Sequence, residues 1–169
     1  MNKEQIISDF NVKEKKGWDI LSGWKNLQNE NDLSKFIKPI SFRPFDDKYI
    51  FYEDKLVWRT TRQIGKHFIN NENLGLVTPR QCQSDWRYIF ITKNIIEFNL
   101  TGTAGKFGSG SLFPLYLYHD ENSLTNERTP NLNLEIVKEI EDKLNLKFTN
   151  EKEENTSTFA PIDILDYIY

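Results

Sequence analysis

Near the N-terminus, apolar side chains recur every three or four positions. They are Ile6, Ile7, Phe10, Trp18, Leu21, Trp24 and Leu27. This spacing places apolar groups on one face of a helix. We therefore expect helices over residues 4–10 and 17–29, and we interpret the two tryptophans as core anchors.

A similar period returns near the C-terminus. Apolar positions from Leu134 to Leu146 follow a 3.6-residue period, which predicts a helix over residues 132–146. Pro161 occupies a favoured first-turn position, so a last helix is expected over residues 161–169. The charged stretch at residues 150–158 separates the two as a loop.

The middle of the chain alternates apolar runs of strand length with turn residues. The expected strands are 40–45, 49–52, 74–78, 88–92, 95–98 and 112–118. Pro44 ends the first strand, and Asp46-Asp47 suits a turn that pairs it with the second. Residues 60–69 are expected to form a helix, residues 101–111 a glycine-rich loop, and residues 119–130 a polar linker.

Together these elements predict an α+β fold: a single domain with a mixed central β-sheet and flanking helices. Within it we expect an N-terminal helical segment at residues 1–38, a core α/β region at 39–118 and C-terminal helices at 119–169. A chain of 169 residues is long enough to bury one core.

Composition narrows the class of protein. Apolar residues make up 38% of the chain, and the apolar runs are too short to span a bilayer. The N-terminus has no apolar signal core, and the single cysteine, Cys82, suits a reducing compartment. We therefore expect a cytoplasmic protein. No clustering of Cys and His suggests a structural zinc site, so no metal is expected.

Charge is unevenly distributed. The net charge is −3, but residues 55–111 carry eight basic and three acidic side chains, a local charge of +5. A basic middle in an acidic chain is consistent with a local polyanion-binding surface. Ordinary solvated surface charge explains the same counts, and charge alone does not decide between them.

Sequence motifs for catalysis fail on spacing. Lys106 lies in a glycine loop, yet Phe107 stands where a phosphate-binding loop needs Ser or Thr. Asp46 or Asp47 followed by Glu53-Asp54-Lys55 loosely matches a metal-nuclease pattern. Two tight turns around a short hairpin explain those residues without chemistry. We expect a chain that is not an enzyme on its own.

Several motifs in order resemble one known family. They are Phe42-Arg43-Pro44-Phe45-Asp46, Tyr49-Ile-Phe-Tyr52, the run from Asn73 to Arg80-Gln81, Phe113-Pro-Leu-Tyr-Leu-Tyr118, and the tail Phe159–Tyr169. This set resembles the C-terminal specificity (target-recognition) region of type ISP restriction-modification enzymes, which are also N6-adenine DNA methyltransferases. The resemblance covers about residues 15–169. Arg59-Thr-Thr-Arg62 departs from the Arg-Pro-Arg-like run of relatives.

The resemblance implies a DNA-recognition fragment that needs no cofactor. Its expected partners are double-stranded DNA and the methyltransferase and helicase domains of a parent chain. Methyltransferase motifs are absent from the sequence, and relatives usually continue past Tyr169. We therefore expect a C-terminally truncated fragment. The alternative is a structural docking module of the same enzyme that contacts no base.

Two kinds of DNA contact are expected, one that selects bases and one that holds phosphates. For base readout we predict Arg80, Gln81, Gln83 and Arg87, because Arg and Gln can form paired hydrogen bonds with guanine and adenine. The predicted contacts with the DNA backbone are Arg59, Arg62, Lys66 and Lys106, and Gln63 could reach a base or a phosphate. Arg43 and Asp46 are predicted instead to form a structural ion pair that locks the hairpin.

Overall fold

The computed structural model describes residues 2–13, 18, 20–57, 60–81, 88–102, 109–119 and 128–169. The helices are α1 Lys3–Phe10, α2 Ile20–Leu27, α3 Arg62–Gly65, α4 Leu134–Leu144 and α5 Pro161–Ile168, with a 3-10 turn at Ser34–Phe36. The strands are β1 Ile37–Arg43, β2 Asp46–Phe51, β3 Gly75–Pro79, β4 Phe90–Thr92, β5 Ile95–Ile96, β6 Gly110–Pro114, β7 Tyr116–Tyr118, β8 Arg128–Pro130, β9 Lys147–Phe148 and β10 Thr158–Phe159. The α+β class predicted from the sequence is confirmed.

The strands do not form one central sheet. In the described part of the chain they form two three-stranded sheets, ordered β2-β1-β5 and β4-β3-β6, and two small pairs, β7-β8 and β10-β9. Both three-stranded sheets are built around an antiparallel pair, and β5 joins β1 in parallel. The predicted division at residues 38 and 118 remains a prediction.

The predicted β1-β2 hairpin is confirmed, but its turn lies earlier than expected. Asp46 and Asp47 begin β2, and the chain turns at Pro44 and Phe45 instead. Phe45 has a φ of 63°, a left-handed conformation that is strained for a bulky side chain. Its side chain is 95% exposed. The shift follows from a bulge in β1 between Ser41 and Arg43.

Two further elements differ in length from those expected from the sequence. Residues 112–118 form two strands, because the chain bends at Leu115, whose N–H donates to Leu74 O (2.7 Å). The helix expected over 60–69 is a single α-helical turn, followed by bonds such as Phe68 N to Gly65 O that close tighter turns. The polar linker ends in β8, whose three residues pair with β7.

The core has two parts separated by the β4-β3-β6 sheet. Ile40, Phe68 and Ile95 form one cluster, which Leu112 of β6 joins. Leu115, Tyr116 and Leu165 form the other, which includes Leu76 of β3 and couples α5 to the sheet. Strand β3 is therefore enclosed on both faces, and Val77 at its centre is fully buried. This central strand fixes the positions of the surfaces at its two ends.

Candidate nucleic-acid interface

The first candidate surface lies where β3 ends. Arg80 and Gln81 follow Pro79 directly and are exposed. The N–H of Arg80 donates to Ser109 O at 3.2 Å, which extends the pairing of Pro79 with Gly110. We call Arg80, Gln81 and Ser109 the strand-end edge. A rigid buried strand thus presents two side chains with several hydrogen-bonding groups to solvent.

Four predicted contact residues fall outside the described part of the chain. They are Arg59, Gln83, Arg87 and Lys106. Their assignment stays a prediction from the sequence.

The short helix α3 carries the other predicted contacts. Lys66 N donates to Arg62 O (2.9 Å), so helical spacing holds from Arg62 to Lys66. The side chains of Arg62, Gln63 and Lys66 are exposed. Arg62 is 72% exposed and forms an ion pair with Asp54. Arg62 and Lys66 thus lie one helical turn apart and are both exposed, and their role in DNA binding stays a prediction.

A second surface was not anticipated from the sequence. Three separate segments line an open groove of about 370 Å³ at the other end of β3. Its polar lining, which we call the lysine groove, consists of Lys38, Asn70, Asn71, Glu72, Lys93 and Asn94. Lys66 adjoins it, because Asn71 Nδ2 donates to Lys66 O at 2.8 Å. Charge counts along the chain do not reveal such a groove, since its lysines are 55 positions apart in sequence.

The predicted ion pair between Arg43 and Asp46 is wrong in its partner. Arg43 Nη1 donates to Glu97 Oε2 at 2.6 Å, and its guanidinium lies 4.1 Å from the ring of Phe42. The carboxylate of Asp46 lies 3.4 Å from Lys48 Nζ instead. The bulge in β1 and the inclusion of Asp46 in β2 explain why Arg43 and Asp46 have other partners than predicted. Arg43 links the hairpin to the segment after β5.

A buried asparagine anchors the start of β3. Asn73 Nδ2 donates to His67 O (2.9 Å) and Tyr116 O (2.7 Å), and Asn73 Oδ1 accepts from the N–H of Tyr116 (3.1 Å). Nearby, His67 Nδ1 accepts from the N–H of Tyr118 at 2.9 Å. These bonds tie the α3–β3 connection to β7 and so fix the wall of the lysine groove that residues 70–72 form.

Arg128 also stabilises the connection between α3 and β3. Arg128 forms a two-point ion pair with Glu151 (2.7 and 2.6 Å) and donates to Glu72 O at 3.0 Å. Its guanidinium lies 4.0 Å from the ring of Tyr116. The hydrogen bonds from Arg128 hold the pKa of the Glu151 carboxyl below its ordinary value. Arg128 is therefore a structural cation, engaged on several sides.

The described residues contain neither a metal-binding cluster nor a membrane-spanning helix. Among them, no group of three or more His, Cys, Asp or Glu side chains is placed to hold a metal ion. No described helix has the length and apolar character needed to cross a membrane.

The fold is thus a small α+β domain that offers cationic and amide side chains at both ends of one enclosed strand. The family model of the Type ISP C-terminal specificity domain matches residues 2–169. The chain belongs to this family, as its sequence motifs predicted.

Two solved structures share the fold. One is the cryo-EM structure of a DrdV-DNA complex, with a TM-score of 0.60 and 16% identity over 100% of this chain. The other is the ATP-dependent Type ISP restriction-modification enzyme LlaBIII bound to DNA, with a TM-score of 0.56 and 16% identity over 82% of this chain. The matched region is 15% of the first protein chain and 9% of the second. No curated protein shows significant sequence similarity.

Proposed function

We propose that the chain is a DNA target-recognition domain of a Type ISP restriction-modification enzyme and performs no catalytic step itself. The observation that carries the proposal is the family match over residues 2–169. The fold shared with two enzymes solved as DNA complexes supports it. Double-stranded DNA is the proposed ligand, and the methyltransferase and helicase domains of a parent chain are the proposed neighbours.

Base readout is assigned to the strand-end edge. Arginine can donate two hydrogen bonds to guanine O6 and N7, and glutamine can pair with adenine N6 and N7. Arg80 and Gln81 are exposed at the end of β3, where Thr78 and Pro79 are paired with β6. Such support limits the conformational entropy lost when side chains order on DNA. Gln83 and Arg87 extend this assignment on sequence grounds.

Phosphate contacts are assigned to Arg62, Gln63 and Lys66 of the α3 region, and by sequence to Arg59 and Lys106. The ion pair of Arg62 with Asp54 does not oppose this role strongly. The Arg62 side chain is 72% exposed and that of Asp54 is 24% exposed; an ion pair open to solvent contributes on the order of 1 kcal/mol, so exchanging the carboxylate for a phosphate costs little. Phosphate contacts hold the protein in register and carry no sequence information directly.

The assignment is tested by fluorescence anisotropy with duplexes of varied sequence at several salt concentrations. Arg80→Ala should lose about 1–3 kcal/mol of discrimination at one base pair and little elsewhere. Lys66→Ala should weaken binding to all sequences alike. The matched control is Lys138→Ala on α4, an exposed lysine outside both surfaces, which should leave binding unchanged. Absence of salt-dependent binding by the unsubstituted chain would refute the proposal.

A docking module without base contacts is the second candidate. It is favoured by large exposed aromatic side chains: Phe45 at the hairpin turn, whose ring touches only Phe90 edge-on among the described rings, and Tyr167 of α5, which is 92% exposed. Large exposed aromatic groups are typical anchors of protein interfaces. Arg80→Ala separates the candidates, because a docking module would show no change in base preference.

A further inference from the structure

The lysine groove combines donors from three parts of the chain that fold together. Lys38 lies on β1, Asn70 follows α3, and Lys93 lies in the turn between β4 and β5. The groove is open to solvent, and its floor is formed by apolar side chains such as Phe68 and Ile95. Its location is set by the fold, because both apolar residues belong to the first core cluster.

Three of the six polar lining residues offer donors to a ligand, because the Nδ2 groups of Asn71 and Asn94 are bonded within the protein. Lys38 Nζ donates to Asn70 Oδ1 at 2.9 Å, which orients the ammonium and leaves two of its protons available. The same bond occupies the Asn70 oxygen, so its NH₂ group is the part left to meet a ligand. Lys93 is exposed and has no ion pair with any described residue. A ligand entering here meets two ammonium groups and an amide donor.

One lining group opposes an anion. Glu72 lines the groove and is exposed, and its backbone oxygen is held by Arg128 Nη1 (3.0 Å) and by the hydroxyl of Tyr118. The groove therefore carries two positive charges and one negative. Since like charges repel, Glu72 should limit the affinity for an anion, and its removal should act in the direction opposite to removal of a lysine.

We propose that the lysine groove binds the phosphodiester backbone of duplex DNA through Lys38, Asn70 and Lys93. This inference rests on the proposed function and extends it to residues that no sequence motif identified. An open, shallow groove lined by point-charge lysines suits a repeating phosphate chain, which needs charge rather than a shaped enclosure. These contacts position the duplex, while base selection stays with the strand-end edge.

The test measures DNA affinity against salt for four variants of the full chain. Lys38→Gln and Lys93→Gln should each reduce the log–log salt slope by about 0.9, which corresponds to about eightfold weaker binding at 0.1 M salt. The log–log salt slope of the double variant should be smaller than that of the unsubstituted chain by about 1.8. Base preference should not change. Glu72→Gln should bind more tightly than the unsubstituted chain, and a gain cannot arise from misfolding.

Lys138→Gln is the matched control, because it removes one exposed lysine from α4 outside the groove. Its slope should equal that of the unsubstituted chain. Unchanged slopes for both groove lysines, or weaker binding by Glu72→Gln, overturn the groove assignment while the proposed function stands. If the unsubstituted chain itself shows no salt-dependent binding, the proposed function fails and this inference fails with it.

Discussion

Replacing Asn73 with alanine should lower the free energy of unfolding by more than a conservative substitution at the surface would. The amide makes three buried hydrogen bonds, to His67 O and to both backbone groups of Tyr116. Each such bond contributes about 1 kcal/mol net, so Asn73→Ala should cost about 3 kcal/mol. That is a large fraction of the roughly 5–15 kcal/mol that stabilises a typical domain.

Urea denaturation followed by circular dichroism measures this loss. With a slope near 2 kcal/mol per molar urea, the midpoint should fall by about 1.5 M. Asn131→Ala is the control, because Asn131 is exposed and its Nδ2 makes one hydrogen bond, to Pro114 O at 2.9 Å. Its cost should stay near or below 1 kcal/mol. Equal midpoints for Asn73→Ala and the unsubstituted chain would refute the role assigned to the buried amide.

Three further predictions concern stability. Phe45→Asn should leave the free energy of unfolding within about 0.5 kcal/mol or raise it, because asparagine tolerates the left-handed backbone at φ 63°; a clear loss in urea would contradict this. Gly75→Ala should cost about 1–3 kcal/mol, since its Cβ would lie 2.6 Å from Phe68 Cζ; an unchanged melting temperature would contradict the close packing. The lowered pKa of Glu151 means that its ion pair with Arg128 stabilises the fold above about pH 4.3, the value for an unfolded glutamate, and that this contribution is lost as the pH falls through the folded pKa. Melting temperatures of Glu151→Gln and the unsubstituted chain should therefore differ at pH 6, and the difference should shrink as the pH falls through the folded pKa.

The helices were predictable because their information is local. α4 shows this most clearly: Asn133 caps its start by accepting from the N–H of Glu135 (2.9 Å), and Asn145 ends it in a left-handed conformation. Apolar period and capping residues both lie within the element. The predicted helices at residues 4–10, 132–146 and 161–169 are confirmed within a few residues.

The details of the hairpin depend on long-range contacts and were not predictable in the same way. Two consecutive aspartates favour a turn, yet Asp47 is held in β2 by Ser41 Oγ (2.7 Å) and Asn94 Nδ2 (3.1 Å). Asn94 is 47 positions away in sequence. The partner of Arg43, Glu97, is similarly remote. Such pairings follow from the way the two sheets meet, which local patterns do not encode.

The two candidate surfaces differ in the same way: one could be predicted from local sequence, and the other depends on contacts between distant segments. Arg80 and Gln81 could be identified because a strand pattern ends at Pro79 and two polar side chains follow it. The lysine groove could not, since Lys38 and Lys93 become neighbours only when β1, β5 and the α3 region assemble. The sequence signal of each lysine, an isolated surface charge, is the same as that of Lys138.

Under the proposed function, strand β3 would fix the distance between the lysine groove and the strand-end edge. Its first residue, Gly75, pairs with Thr92 beside Lys93, and Arg80 lies five residues further along. Five steps of an extended chain measure roughly 17 Å, and a duplex placed along the strand would rise by about five base pairs over that distance. Adding two residues to this strand would then increase the distance between the lysine groove and the strand-end edge by about two base pairs. The length of one short strand would therefore determine how many base pairs separate the phosphate contacts from the bases that are read.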